Sequence, residues 1–173
     1  KICLASFTHE EQMWSEQYWE EWYSSREQHA LHLERTTTDH VEVGAPPIKT
    51  KDGWLVLYSH IQNYFNPPAV FGVEALLLDL ENPSKIIART DHPLLIPQAE
   101  YEKYGMVPNI VFPSGAYSKG DKLYLYYGAA DTVIGVAMGK TSELVKELMK
   151  NRIRTSGLER YAKNPIIQPD TIH

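Results

Sequence analysis

Hydrophobic and polar positions along this chain fall into two rhythms. Between residues 107 and 131 they form short apolar stretches separated by turn residues. Ile110-Val111-Phe112 and Leu123-Tyr124-Leu125-Tyr126-Tyr127 are rich in β-branched and aromatic side chains, which suit a pleated, half-buried surface. Ser118-Lys119-Gly120-Asp121 between them is a turn cluster, so the stretch predicts two strands joined by a tight turn. Gly128-Ala129-Ala130 then removes side-chain bulk just before Asp131. Small residues beside a lone acid let something approach the backbone closely. Spacing alone leaves Asp131 with two readings, a binding carboxylate or a solvated acid at a strand end.

The second rhythm is helical. From Glu10 to His29, Trp14, Tyr18 and Trp22 recur at every fourth position. This predicts a helix with its aromatic stripe packed on the sheet core and its acids outward. From Ser142 to Arg154, Leu144, Val145, Leu148 and Met149 form an apolar stripe, with Thr141-Ser142-Glu143 as a cap and Gly157 as a stop signal.

The chain also repeats itself. His92-Pro93-Leu94-Leu95-Ile96-Pro97 recurs as Asn164-Pro165-Ile166-Ile167-Gln168-Pro169, an offset of 72. Gly44-Ala45-Pro46-Pro47, ahead of Gly53-Trp54, recurs as Ser114-Gly115-Ala116, ahead of Gly120-Asp121; Gly44 to Gly115 is an offset of 71. Two motifs with nearly one offset predict a unit of about 70 residues built from short strands, as in propellers and arrays.

Bulk properties narrow the function classes. A net charge of −5 and a pI near 5.8 give no electrostatic case for nucleic acid. No run approaches the roughly 18 apolar residues of a membrane helix, and Lys1 to Ser6 is too short an apolar stretch for a signal peptide. Cys3 is the only cysteine, which fits a reducing, cytoplasmic compartment and excludes a four-cysteine zinc site. His9, His29, His32 and His40 lack metal-ligand spacing and read as surface or cap residues, so no metal is expected.

The wording of three segments is more specific than their spacing. VFPSGAYSKGDKLYLYYGAADTVIGVA at 111–137, VEVGAPPIKTKDGWLVLYS at 41–59 and ALLLDLENPSKIIARTDHPLLIPQAEYEKYG at 75–105 resemble segments of glycoside hydrolase family 130, the mannoside phosphorylases and mannosidases. The resemblance covers about residues 40–140. It implies an all-β fold, a five-bladed β-propeller of which about two to three blades are present here, with flanking helices. Residues 1–157 would be its carboxy-terminal part. Residues 158–173 would be a closing strand or the start of a second propeller unit, because Leu158 to Ile167 resembles the way family members begin. An unclosed blade edge would offer a route to self-association.

The resemblance also implies a β-mannoside or related oligosaccharide as ligand, processed with inversion by hydrolysis or phosphorolysis. No cofactor is implied beyond inorganic phosphate as co-substrate. Such transfer needs a carboxylic acid to protonate the leaving oxygen. The family's acid lies in a Glu-Asp-Pro-Arg segment that no position here matches, so no catalytic residue is carried over and the chain is expected to be inactive alone. Asp131 matches a carboxylate that binds sugar hydroxyls, a role suited to vicinal diols. Lys49 matches a lysine near the sugar, and Tyr58 and Phe112 match aromatic positions lining its face. Together these four are expected to line one concave site. Ser59 stands where the family has a phosphate-binding histidine and His60 where it has a glycine. Adjacent strand residues face opposite ways, so His60 is not an automatic replacement, and water becomes at least as good a candidate acceptor as phosphate. A degenerate propeller repeat that binds carbohydrate or a protein partner without catalysis is the alternative.

Overall fold

The computed structural model describes residues 1–150 and 158–166. The chain opens with a small strand, β1 (Ile2–Cys3), which pairs antiparallel with β2 (Ala30–Leu31). Between them lies α1 (Glu16–Ser24), flanked by two short 3₁₀ turns, Glu10–Trp14 and Arg26–His29. The continuous helix expected over Glu10 to His29 is therefore broken at Ser15, whose hydroxyl accepts the Tyr18 N–H and starts α1 afresh. The break removes Trp14 from the aromatic stripe and leaves it 80% exposed. Nor does the stripe reach the sheet core. The Tyr18 hydroxyl donates to the Ser6 carbonyl and the Trp22 indole to the Leu4 carbonyl, while Phe7 packs on Tyr18 and Trp19. The amino-terminal strand segment, not the sheet, is what α1 covers.

The rest is mostly sheet, in two open antiparallel layers. The first contains β3 (His40–Glu42), β4 (Ile48–Lys49), β5 (Trp54–Gln62), β6 (Val70–Leu78) and β7 (Ile86–Arg89). Strands β3 and β4 both pair with β5 and act as one interrupted edge strand, followed by β6 and β7 in order. After the short α2 (Glu100–Lys103), the second sheet is a meander of β8 (Val111–Lys119), β9 (Lys122–Ala129), β10 (Val133–Lys140) and β11 (Leu158–Arg160). The two-strand reading of residues 107–131 corresponds to β8 and β9, turning at Gly120-Asp121.

The two sheets share a plan. In the first, the His92-Pro93 segment returns to the third strand through the Leu94 N–H and the Val73 carbonyl, 2.7 Å. In the second, the Asn164-Pro165 segment returns likewise through the Ile166 N–H and the Ile134 carbonyl, 2.8 Å. The sequence repeat thus marks the same return of the chain onto each sheet.

Strand alternation decides what each face meets. Leu55, Leu57, Val73, Ala75 and Leu77 face Val111, Leu123, Leu125, Tyr127 and Ala137 across the core. The helix α3 (Thr141–Met149) adds Leu144, Val145 and Leu148 to that core and leaves Met149 exposed. Burying each such leucine is worth about 1.5–3 kcal/mol. The expected Thr-Ser cap is absent; Ser142 instead donates its N–H and hydroxyl to the Asp121 carboxylate, tying the helix to the β8–β9 turn. The opposite face of the first sheet, with Val41, Tyr58, Leu76 and Leu78, is covered by Ile2, Leu31 and Leu33. Burial on both faces explains why β5 and β6 read as almost unbroken apolar runs. The second sheet has no such cover among the described residues, and Tyr117 and Tyr126 on its outer face are exposed. Gly44 fixes how the layers meet. A Cβ there would overlap the Leu57 carbonyl oxygen and the Pro113 ring, so only glycine lets the first sheet's edge lie against β8.

No helix among the described residues is long and apolar enough to cross a membrane. The helical pattern after Lys150, the stop at Gly157 and residues 167–173 lie outside the described residues.

Candidate functional site

Asp131 occupies the β9–β10 turn, and that turn is locked. Ala130 and Asp131 both have positive φ, 46° and 53°, a backbone state that costs alanine about 1–2 kcal/mol and that aspartate enters more readily. Hydrogen bonds hold it there. The Ala130 N–H donates to the Ile110 carbonyl, and the Ala130 carbonyl accepts from the Val107 N–H. The Thr132 hydroxyl donates to the same carbonyl and accepts from the Met106 N–H. Gly105 packs so closely on this turn that a Cβ would strike the Ala130 carbonyl and the Thr132 hydroxyl. The backbone is immobilised while the Asp131 side chain stays exposed. An exposed carboxylate on a backbone held this firmly makes Asp131 a candidate binding group.

The register shows what shares this end of the molecule. His60 and Ile61 pair with Gly72 and Phe71 on β6. Phe71 bridges to Ile110, which receives the Ala130 N–H. Phe112 pairs with Gly128, three positions from Asp131, and is half-buried on the outer face of the second sheet. Asp131, Phe112, Ser59 and His60 therefore belong to one end.

Lys49 belongs to the other. It pairs with Trp54 and lies with its Nζ 5.5 Å from the indole centre, lining a groove of about 750 Å³ with Lys51, Asp52, Asp121 and Lys146. Asp121 begins the turn into β9, and the eight residues of β9 span about 24 Å at roughly 3.4 Å per residue. Tyr58 is also misplaced for a sugar wall. It is fully buried, and its hydroxyl donates to Glu74 Oε2 at 2.7 Å. The four residues expected to line one concave surface are thus spread over two ends and a buried face.

Tyr58 belongs to a polar cluster that sequence reasoning missed. Glu74, with no exposed surface, accepts two bonds from Arg35, Nε to Oε1 at 3.0 Å and Nη2 to Oε2 at 2.9 Å. His60 is buried between two carboxylates, its Nδ1 3.4 Å from Glu74 Oε1 and its Nε2 3.4 Å from Asp39 Oδ2. Ser59 points to the opposite side of β5, buried, with its hydroxyl unpartnered among the described residues. Burial pushes the Tyr58 hydroxyl up, with Glu74 adding to it, and lowers His60 despite the pull of Glu74 and Asp39. Burial also opposes the Asp39 charge, but the N–H groups of Asn63 and Thr36 outweigh it and hold that carboxyl below its usual range.

These shifts predict acid sensitivity in two steps. With His60 lowered in the fold, the unfolded chain takes up its proton first, so stability falls as pH drops below about 6.5. Asp39, also lowered, contributes stability above the ordinary carboxylate range and loses it as pH falls further. Urea midpoints should therefore decline as pH drops below about 6.5 and again below about 4, and His60→Gln should flatten the upper step. An upper step of unchanged height in that variant would remove His60 as its cause.

Comparison with known proteins agrees with the wording of the sequence. A family model described as β-1,4-mannooligosaccharide phosphorylase, glycoside hydrolase family 130, matches residues 6–151. The chain is 53% identical over 98 residues to a 1,2-β-oligomannan phosphorylase of Thermoanaerobacter sp. (strain X514), covering 57% of this chain and 32% of that protein. It is 43% identical over 105 residues to a β-1,2-mannobiose phosphorylase of Listeria innocua, covering 61% of this chain and 28% of the relative. The structure of a β-1,2-mannobiose phosphorylase from Listeria innocua, in complex with β-1,2-mannobiose, superposes with a TM-score of 0.61 at 39% identity, over 69% of this chain and 33% of that one. A further structure is described as showing that this family of mannoside phosphorylases contains hydrolases that target β-1,2 mannosidic linkages in Candida mannan; its TM-score is 0.53 at 31% identity, over 59% of this chain and 30% of that one. The chain thus spans about a third of the length of the curated relatives it matches. With most of its residues inside the family match, the chain belongs to glycoside hydrolase family 130.

Proposed function

We propose that this chain supplies the sugar-binding part of an inverting phosphorylase acting on β-1,2-linked mannosides. Residues 1–157 belong to the carboxy-terminal portion of a five-bladed propeller, the two sheets are two of its blades, and β11 (Leu158–Arg160) is a closing strand. The repeated plan of the two sheets and the pairing of Leu158–Arg160 with β10 support that assignment. The observation that carries the function is Asp131, an exposed carboxylate on a strained, fully braced turn. It accepts hydrogen bonds from adjacent sugar hydroxyls, and Phe112 offers apolar surface beside it. Lys49, at the far end, and Tyr58, buried on Glu74, act on the sugar only through the scaffold. Phosphate is the favoured acceptor because the relatives at 53% and 43% identity are both phosphorylases; this weighs against reading Ser59 as a loss of phosphate binding.

The isolated chain should bind β-1,2-mannobiose without turning it over. Asp131→Asn should weaken that binding about tenfold or more, the value of losing a charge-assisted bond. Calorimetric titration that finds the variant equal to the parent would remove Asp131 from the site. In a longer protein containing this chain, mannose 1-phosphate released only with phosphate present is the expected product; free mannose at a phosphate-independent rate would assign hydrolysis instead.

A further inference from the structure

The loop joining β5 to β6 carries an aromatic cluster at the Asp131 end. The His40 ring stacks on Tyr64 with centroids 4.8 Å apart, and Tyr64 meets Phe65 edge-on at 5.0 Å. Tyr64 is 41% and Phe65 65% exposed. Yet the loop is firmly held. The Phe65 N–H donates to the Thr38 carbonyl, the Asn66 N–H to the Asn63 carbonyl, and the Asn63 N–H to the buried Asp39 carboxylate. His40 stands on the edge strand β3, its Nε2 3.5 Å from the Glu42 carboxylate. Just after the loop, the Phe71 N–H donates to the Asn109 carbonyl, beside Ile110, which braces the Asp131 turn. Apolar rings that are both exposed and fixed, with an imidazole and a carboxylate next to them, match the chemistry of a pyranose: one apolar face to stack and a rim of hydroxyls to bond.

We propose that His40, Tyr64 and Phe65 form an outer carbohydrate subsite, which stacks a mannose unit of a longer chain beyond the units held at Asp131. It rests on the reading of Asp131 as the sugar-binding carboxylate. The fixed loop matters because rings already ordered lose little freedom on binding. The subsite makes the protein prefer oligosaccharides to the disaccharide.

The test uses the 173-residue chain, titrated with β-1,2-linked mannobiose and mannotetraose by calorimetry and by nuclear magnetic resonance of labelled tyrosine and phenylalanine rings. The tetrasaccharide should bind about tenfold more tightly, and its binding should move the Tyr64 and Phe65 ring signals. Tyr64→Ala and Phe65→Ala should bring the ratio of the two affinities close to one. A ratio unchanged in both variants, or ring signals unmoved by the tetrasaccharide, would overturn the subsite; Asp131→Asn weakening the disaccharide would then leave the inner site standing. If neither sugar perturbs the unmodified chain, the subsite and the Asp131 reading both fall.

Discussion

Arg35→Ala should destabilise this protein by about 3–5 kcal/mol, the usual cost of leaving one partner of a buried ion pair alone. The reason is an asymmetry within the pair. The Arg35 side chain is 31% exposed, whereas the Glu74 carboxylate has no exposed surface at all. Without Arg35, the carboxylate keeps the Tyr58 hydroxyl, a distant Arg89 at 3.7 Å and His60 at 3.4 Å. None replaces two direct guanidinium bonds. Glu74→Gln should cost less, because the guanidinium left behind can turn toward water. The double change Arg35→Met with Glu74→Leu should recover much of the loss, since it removes both charges and keeps the volume. Urea unfolding gives each value, and the cycle gives the coupling. An Arg35→Ala variant within about 1 kcal/mol of the parent would place this pair among exposed ones, where ion pairs contribute little. The bond matters because Arg35 also donates to the Thr90 carbonyl and so fastens the segment before β3 onto the first sheet.

Local signals made part of this architecture legible and hid the rest. The β8–β9 hairpin could be read because its turn residues and alternation lie within a dozen positions of one another. The repeat could be read because the same chain return, with a proline and two apolar residues, occurs on both sheets. The burial of Tyr58 is not legible because its partner Glu74 is 16 positions away, and Arg35, which bonds Glu74, is 39 positions from that glutamate; a tyrosine on a strand carries no mark of which face is covered. The broken helix is a case of competition. Ser15 can bond the backbone itself, and that local option outweighed a four-residue aromatic period. Small neighbours mark the Asp131 turn in the sequence, but its backbone state is not legible there, because alanine is an unusual residue at positive φ. Lys49 and Asp131 were grouped by family motif, and motifs do not say at which end of a strand a residue falls. The length of β9 decides that, and it separates them.

The second sheet depends on Glu102 in a similar way, with more partners at stake. Glu102 has no exposed surface and accepts from the Gln98 N–H at 2.7 Å, the Ala99 N–H at 2.9 Å and the Tyr127 hydroxyl at 3.0 Å. Arg160 adds two bonds, from Nε to Oε1 and from Nη2 to Oε2, and reaches the Ile96 carbonyl at 2.9 Å. One carboxylate thus joins the start of α2, the core tyrosine of β9 and the last strand, β11. Burial works against its charge, but Arg160 and the two N–H groups outweigh burial and hold the carboxyl below its usual range. Its contribution is therefore present above the ordinary glutamate value, about 4.3, and is lost as pH falls through the lower folded value. Glu102→Ala should cost about 3–5 kcal/mol near neutral pH, because it strands a guanidinium that is largely buried and leaves several donors unpaired. Glu102→Gln should cost less, and its deficit should shrink as pH drops below about 4, where the parent loses its own charge. Arg160→Ala should act more locally, releasing the Leu158–Arg160 strand from β10 and raising its amide exchange toward that of an unprotected segment. If Glu102→Ala unfolds at the same urea concentration as the parent and the β11 amides stay protected, the carboxylate is not what holds the last strand to the sheet.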